Sequence, residues 1–251
     1  MSTASESLPG RVAVFGAAGR AGRAITAALL EQGLHVDAVL REPSRHDLPT
    51  HARLRVLRGD AQRPDEMAES LRGTDAVVLA VTPFTAPPSS FDGFDLDYYA
   101  GIVRGVDAVW QRPRRRLVAV GLTATLRLDS GQPVMADPTL FPPGLTPFAE
   151  AHARQLPALA GTTLDWAILA PPAGFGAAAE PAGSGAATEP AGSGTVPEPA
   201  AGPGYRLVPE PLTREQATAR LTHARYARAV AAEVVHPTVH AARVAVVPVV
   251  G

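Results

Sequence analysis

The segment that most constrains the fold lies near the N-terminus. Val12, Ala13, Val14 and Phe15 form a short apolar run, and Gly16-Ala17-Ala18-Gly19-Arg20-Ala21-Gly22 follows it. From about Arg20 to Gln32 the chain is rich in alanine and leucine until Gly33 stops it. This order predicts a strand, a tight turn, a helix and a glycine C-cap. A G-x-x-G-x-x-G turn lets the backbone reverse sharply and leaves free N–H groups at the helix N-terminus, where a pyrophosphate would sit. The plainer alternative is a glycine turn that only lets helix and sheet pack closely.

The alternation continues along the chain. Apolar runs at 34–40, 54–57, 76–81, 117–120 and 166–169 predict further strands, with helices at 64–72, 96–110 and 148–159 between them. Strands apolar on both faces and alternating with helices indicate a parallel sheet covered on both sides, a doubly wound α/β fold. Residues 213–235 have helical character and 244–247 read as a last strand. Between these parts, 20 of the 28 residues at 177–204 are Ala, Gly or Pro, and Glu-Pro-Ala-Gly-Ser-Gly starts at Glu180 and again at Glu189. Such a tract cannot bury enough apolar surface to offset its ordering entropy. It predicts a disordered loop insertion, with a partner-binding linker or lid as the other reading. The expected organisation is therefore a single domain, 11–251, with a small C-terminal lobe and the insertion inside it.

Composition then removes chemistries. All 23 basic residues are arginine, and there is no lysine, cysteine or asparagine. No disulfide, thiolate zinc site or thiol nucleophile can form, nor a lysine Schiff base or a P-loop. His35, His46, His51, His223, His236 and His240 show no metal-ligand spacing with nearby carboxylates, so no metal is expected. A net charge of −1 and a pI near 6.7 give no field of one sign, which argues against nucleic acid and anionic membrane as partners. The arginine cluster at 112–116 is read as a solvated edge. Apolar runs are of strand length and the first ten residues lack a signal pattern, so a cytoplasmic protein is expected.

In a doubly wound sheet, ligands bind outside the carboxyl ends of the strands. Those ends supply the candidate cofactor-binding residues. The first turn contributes Gly16, Ala18, Gly19, Arg20, Ala21 and Gly22. After the second strand comes Arg41, and two permanent cations, Arg20 and Arg41, could converge on a ribose 2′-phosphate. That favours NADPH, with NADH second. Asp37 competes as a carboxylate for a free 2′-hydroxyl, although it falls inside the strand, and Arg41 has a plainer reading as a loop residue beside Glu42. Asp60 and Ala61 follow the third strand, where the adenine would lie, yet a Gly-Asp turn explains Asp60 almost as well. Ala80, Val81 and Thr82 end the fourth strand, Gly121 the fifth, and Pro171 the sixth.

The glycine turn, Val39-Leu40-Arg41-Glu42-Pro43, Gly59-Asp60-Ala61 and Leu164-Asp165-Trp166-Ala167-Ile168-Leu169-Ala170-Pro171-Pro172 together resemble the atypical short-chain dehydrogenases that bind NAD(P)H. Within that group the chain is similar to NmrA-like proteins and to the flavin and biliverdin-IXβ reductases. Asp137-Pro138-Thr139-Leu140-Phe141-Pro142-Pro143 adds to the likeness, which spans 11–176 and resumes from Tyr205, with Leu221-Thr222-His223-Ala224-Arg225-Tyr226-Ala227 in the place of the late helix. The resemblance implies a Rossmann-type fold and an NAD(P)H-dependent oxidoreductase. It also implies a site role for His152, which matches a histidine of the biliverdin reductase.

The departures from the family are equally informative. Most short-chain dehydrogenases use a Tyr-x-x-x-Lys pair, whose lysine lowers the tyrosine pKa so that it can exchange a proton with an alkoxide. Without lysine, Tyr98, Tyr99, Tyr205 and Tyr226 cannot serve in such a pair. Leu122 stands near where a hydroxyl or glycine is usual. Hydride addition to a flavin, a quinone or a similar conjugated acceptor delocalises the incoming charge, so water can supply the proton, whereas a saturated ketone needs a positioned acid. The expected partner is therefore a small conjugated acceptor. Thr123 and His152 are the candidate catalytic residues: Thr123 to orient carboxamide or acceptor, His152 as a group titrating near neutral pH. A turn threonine and an exposed histidine are the plainer readings, and Phe84, Phe91, Phe94, Tyr98 and Tyr99 are shared between acceptor pocket and core. The alternative function is a non-catalytic NmrA-like dinucleotide-binding redox sensor.

Overall fold

The computed structural model describes residues 10–84, 86–112, 115–176 and 204–249. The Ala/Gly/Pro tract expected to be an insertion lies outside these residues except for Gly204.

Apolar side chains on both faces place β1 (Arg11–Phe15) at the centre of the sheet, with Val12, Ala13 and Val14 fully buried. The glycine turn leads into α1 (Arg20–Glu31), then β2 (His35–Leu40), β3 (Leu54–Arg58), α2 (Pro64–Ser70) and β4 (Ala76–Leu79). A long loop precedes α3 (Tyr98–Val109) and β5 (Arg116–Val120), and α4 (Thr146–Ala153) and α5 (Gln155–Ala160) precede β6 (Asp165–Ala170). The remaining elements are β7 (Gly174–Phe175), β8 (Tyr205–Pro209), α6 (Arg214–Thr218), β9 (Arg220–Leu221), α7 (His223–Val235) and β10 (Ala242–Pro248).

The sheet runs β3-β2-β1-β4-β5-β6-β10-β8, and every pair is parallel except β8 with β10. The small pair β7–β9 stands apart. Register fixes the two faces. Val12, Val14, Val36 and Ala38 turn toward α1 and α7, whereas Ala13, Phe15, Val39 and Leu79 turn toward α2, α3 and α5. This is the doubly wound, Rossmann-type α/β arrangement. A third cluster, around Leu126, Leu128, Val134, Leu212 and Ala217, packs on Ala170 and Ala245 and forms the small C-terminal lobe.

Several elements differ from expectation. The 148–159 helix is two helices that meet at Arg154, and 213–235 breaks into α6, β9 and α7 because Thr213 and Thr222 each cap a separate helix. Strand β4 stops at Leu79, and the Ala80 N–H donates to the Phe15 carbonyl at 2.9 Å. The arginine cluster is not a uniformly solvated edge. Arg116 is 5% exposed and lies between Asp165 at 3.0 Å and the buried Glu233 at 2.9 Å, tying β5, β6 and α7 together. Burial lowers its guanidinium pKa while the two carboxylates raise it. Among the described residues no helix is long and apolar enough to cross a membrane.

Candidate active site

Sheet order reverses between β1 and β4, and a parallel sheet brings all its strand carboxyl ends to one edge. The glycine turn sits at that reversal. Gly16 has a φ of +79°, and a Cβ there would lie 2.3 Å from the Ala80 carbonyl oxygen. A Cβ on Gly22 would lie 2.1 Å from the Gly16 carbonyl oxygen, so this glycine lets α1 press against its own turn. Gly19 is different: its φ is ordinary at −70°, and a Cβ would meet only the Gly16 oxygen, at 3.4 Å. What a Gly19 side chain would fill is the space outside the turn.

That space fits a pyrophosphate. The first turn of α1 has no side-chain cap and no acidic residue, so its N–H groups are left for an outside acceptor. Arg20 occupies the first helical position, where a cation opposes the helix dipole by about 0.3–1 kcal/mol unless an anion is present. The Arg23 side chain braces the turn, its Nε donating to the Ala18 carbonyl at 2.9 Å and its Nη1 reaching the Asp47 carbonyl. Nothing in the sequence spacing pointed to this brace.

Arg41 is exposed directly past β2, and Glu42 pairs with Arg45 rather than with it. Asp37 is fully buried inside β2, held by Arg11 at 2.9 Å and by Arg55 at 2.8 Å, so its carboxylate belongs to the sheet and not to a ribose. Asp60 Oδ1 accepts from the Gln62 N–H at 2.9 Å, the turn geometry a Gly-Asp pair favours, and Ala61 beside it is buried. Arg41 and Asp60 both act on Tyr98, whose hydroxyl burial pushes up to about 12, with Arg41 drawing it down and Asp60 adding to the rise.

At the other half of the edge, Ala80 and Val81 are half-buried, and the exposed Thr82 donates to the Phe84 carbonyl at 3.3 Å. The Gly121 N–H donates to the Leu169 carbonyl at 2.7 Å, and a Cβ there would strike Ile168 at 2.6 Å. Thr123 is 3% exposed, with its hydroxyl proton given to the Pro171 carbonyl, so it ties the ends of β5 and β6. His152 is neither exposed nor near neutral. It is 8% exposed, and burial lowers its pKa to about 3, which keeps the ring uncharged at any ordinary pH. It stacks on Tyr99 at 3.8 Å with Phe148 edge-on at 4.8 Å, and Phe148 is the wall residue that sequence reasoning did not single out. Among the described residues, no group of three or more His, Asp or Glu could hold a metal ion.

A free helix N-terminus at the switch point of a doubly wound sheet defines a dinucleotide-binding α/β protein. The comparison with family models agrees and is more specific: residues 16–198 match the model described as NAD(P)H-binding, and the chain belongs to that family. Solved structures share the fold at low identity. A candidate NADH-flavin reductase from Streptococcus pneumoniae is 20% identical, with 97% of this chain and 100% of that one covered and a TM-score of 0.71. A candidate epimerase from Bacteroides thetaiotaomicron is 22% identical, with 97% and 99% covered and a TM-score of 0.73. A wide-type short-chain dehydrogenase/reductase from Veillonella parvula, in complex with NADP, is 18% identical, with 96% and 95% covered and a TM-score of 0.63.

Proposed function

We propose that this protein is an oxidoreductase that uses NADPH to reduce a small conjugated acceptor. One observation carries the proposal: among the described residues, the strand edge holds no tyrosine with a lowered pKa and no charged imidazole, the activated acids that carbinol chemistry uses. The Thr123 hydroxyl proton is committed to Pro171, burial raises the Tyr98 and Tyr99 hydroxyls, and His152 is neutral. When bound, the dinucleotide would supply a hydride; with that hydride and one proton from water, the acceptor gains two electrons and the nicotinamide is left oxidised. An acceptor that spreads the incoming charge over a conjugated system needs no protein acid.

The residues of the chain then work by binding and orientation. The N–H groups at the start of α1 receive the pyrophosphate, and Arg20 and Arg41 receive the 2′-phosphate. Gly121, Thr123 and Pro171 keep the ends of β5 and β6 together as one wall, and Ala80 and Val81 form the facing one. The name of the Streptococcus protein supports a reductase, with NADH as the cofactor it gives, and the Veillonella complex supports an NADP-type cofactor.

The test is direct. Calorimetric Kd values for NADPH and NADH, measured on wild type, Arg20→Ala and Arg41→Ala, should show NADPH bound at least tenfold tighter and the preference shrinking in each variant. Equal affinities would remove the NADPH assignment. Steady-state oxidation of NADPH with flavin and quinone acceptors should exceed the blank. Tight binding without turnover on any acceptor would favour the sensor reading.

A further inference from the structure

The connection from β2 to β3, residues 41–53, joins two parallel strands, a crossover usually made by a helix. Here it holds a single turn of 3-10 helix, Pro43–Arg45, and most of its residues are exposed. Its own bonds are local. The Arg45 and His46 N–H groups donate to the Glu42 and Pro43 carbonyls at 3.1 Å each, and Glu42 pairs with Arg45. Half-buried Leu48 packs against the α1–α7 side of the core, and at the far end Arg53 donates to the Gly33 carbonyl at 3.0 Å. Among the described residues, one hydrogen bond fastens 41–52 to another element: Nη1 of Arg23 donates to the Asp47 carbonyl.

The same guanidinium donates through Nε to the Ala18 carbonyl at 2.9 Å, so Arg23 ties the glycine turn to the loop that opens with Arg41. The turn keeps bonds of its own, because the Gly19 N–H donates to the Gly16 carbonyl at 3.0 Å and the Arg23 N–H to the Gly19 carbonyl at 2.8 Å. It is the loop that depends on the side chain. Arg23 is committed to two carbonyls and Arg45 to Glu42, whereas neither Arg20 nor Arg41 has a carboxylate partner among the described residues. We propose that Arg23 is a positioning residue for cofactor choice: without touching the cofactor, it fixes the loop so that Arg41 stands where a ribose 2′-phosphate would be. The proposal rests on the NADPH reading above and adds what places Arg41. A rigid planar fork suits the task, whereas lysine keeps the charge on one flexible point donor.

Arg23 is exposed, so replacing it leaves the core intact. The test compares wild type with Arg23→Ala, Arg23→Lys, Arg41→Ala and the double variant R23A/R41A, by calorimetric Kd for NADPH and NADH and by amide hydrogen exchange without cofactor. In R23A, exchange over 41–52 should quicken more than exchange over the glycine turn. The NADPH Kd should rise about fivefold and the NADH Kd by less than about twofold, while in an R41A background R23A should add almost nothing, the non-additivity of residues that act through one another. R23K should behave like R23A. Full rescue by lysine would mean that the charge of Arg23 meets the phosphate directly, and additive losses would mean that the two arginines act independently. Equal losses for NADPH and NADH would assign Arg23 to the turn alone, and unchanged exchange over 41–52 would mean that it fastens nothing. Each of these overturns the proposal and leaves the NADPH reading standing. Equal NADPH and NADH affinities in wild type would instead remove that reading, and the positioning role with it.

Discussion

Gly19 and Gly22 carry the same side chain and do different work. Gly22 is closed in by the Gly16 carbonyl, while Gly19 faces open space at an ordinary φ. Gly22→Ala should therefore destabilise the fold by roughly 1–3 kcal/mol, as overpacking does. Gly19→Ala should leave the urea midpoint within error and weaken NADPH binding at least tenfold, since its methyl enters the anion site. Equal stability losses in both variants would contradict this division. His152 gives a second residue-level expectation. Its folded pKa, about 3, is below the ordinary 6.5, so the unfolded chain takes the proton first. Its contribution to stability is complete above about pH 6.5 and is lost as pH falls toward 3, by up to roughly 1.4 kcal/mol per pH unit. Urea unfolding between pH 7 and 4 should show a shallower acid slope in His152→Leu than in wild type. Asp137 acts in a lower window. Hydrogen bonds from Thr139 and Arg214 hold it near 2, so its stabilising contribution is lost only as pH falls from about 4 through 2.

At the scale of elements, what could be read in the sequence was whatever repeats a local rule. The parallel strands of the large sheet were readable because each carries apolar residues at strand length, and the glycine turn because strand, glycines and helix are contiguous; the short parallel pair β7–β9 gave no such signal. The Asp37 environment was not readable, since its two arginines come from β1 and β3 and meet only across the sheet register. Likewise, β8 is half-exposed and begins directly after the Ala/Gly/Pro tract, so it offers no clean alternation. His152 was misplaced because its burial comes from Tyr99 and Phe148 packing around it, and alanines on its own helix gave no sign of that. The attachment of α7 was hidden for the same reason. Buried Glu233 accepts from the buried Arg116 at 2.9 Å and from the Thr238 and Val239 N–H groups at 3.0 Å each. Glu233→Ala should lower stability by about 3–5 kcal/mol, because Arg116 then loses its most buried partner. Glu233→Gln, which still accepts hydrogen bonds, should lose less. NADPH affinity should be unchanged in both, since Arg116 begins β5 while the cofactor edge is where β5 ends. Equal losses for Ala and Gln would argue that charge alone, and not acceptance, holds the helix.

For the whole molecule, the C-terminal lobe shares strands with the main sheet and so should not unfold by itself. Ala245 and Val247 of β10 face the lobe, while Val244 and Val246 of the same strand face the α1–α7 side, and Ala170 of β6 joins the lobe to the sheet's centre. Both tryptophans, Trp110 and Trp166, lie in the opposite layer, 2% and 4% exposed. Tryptophan fluorescence therefore reports that layer, and far-UV circular dichroism reports every element. If 11–251 is one cooperative unit, the two urea transitions should coincide. Loss of dichroism ahead of fluorescence would instead mark the lobe as a separate unit. NADPH sharpens the comparison. At one hundred times its Kd it should stabilise the folded state by about 2.7 kcal/mol. Since the glycine turn lies at the centre of the sheet, that shift should move both signals equally; a shift in fluorescence alone would mean that cofactor binding stabilises the main sheet without the lobe.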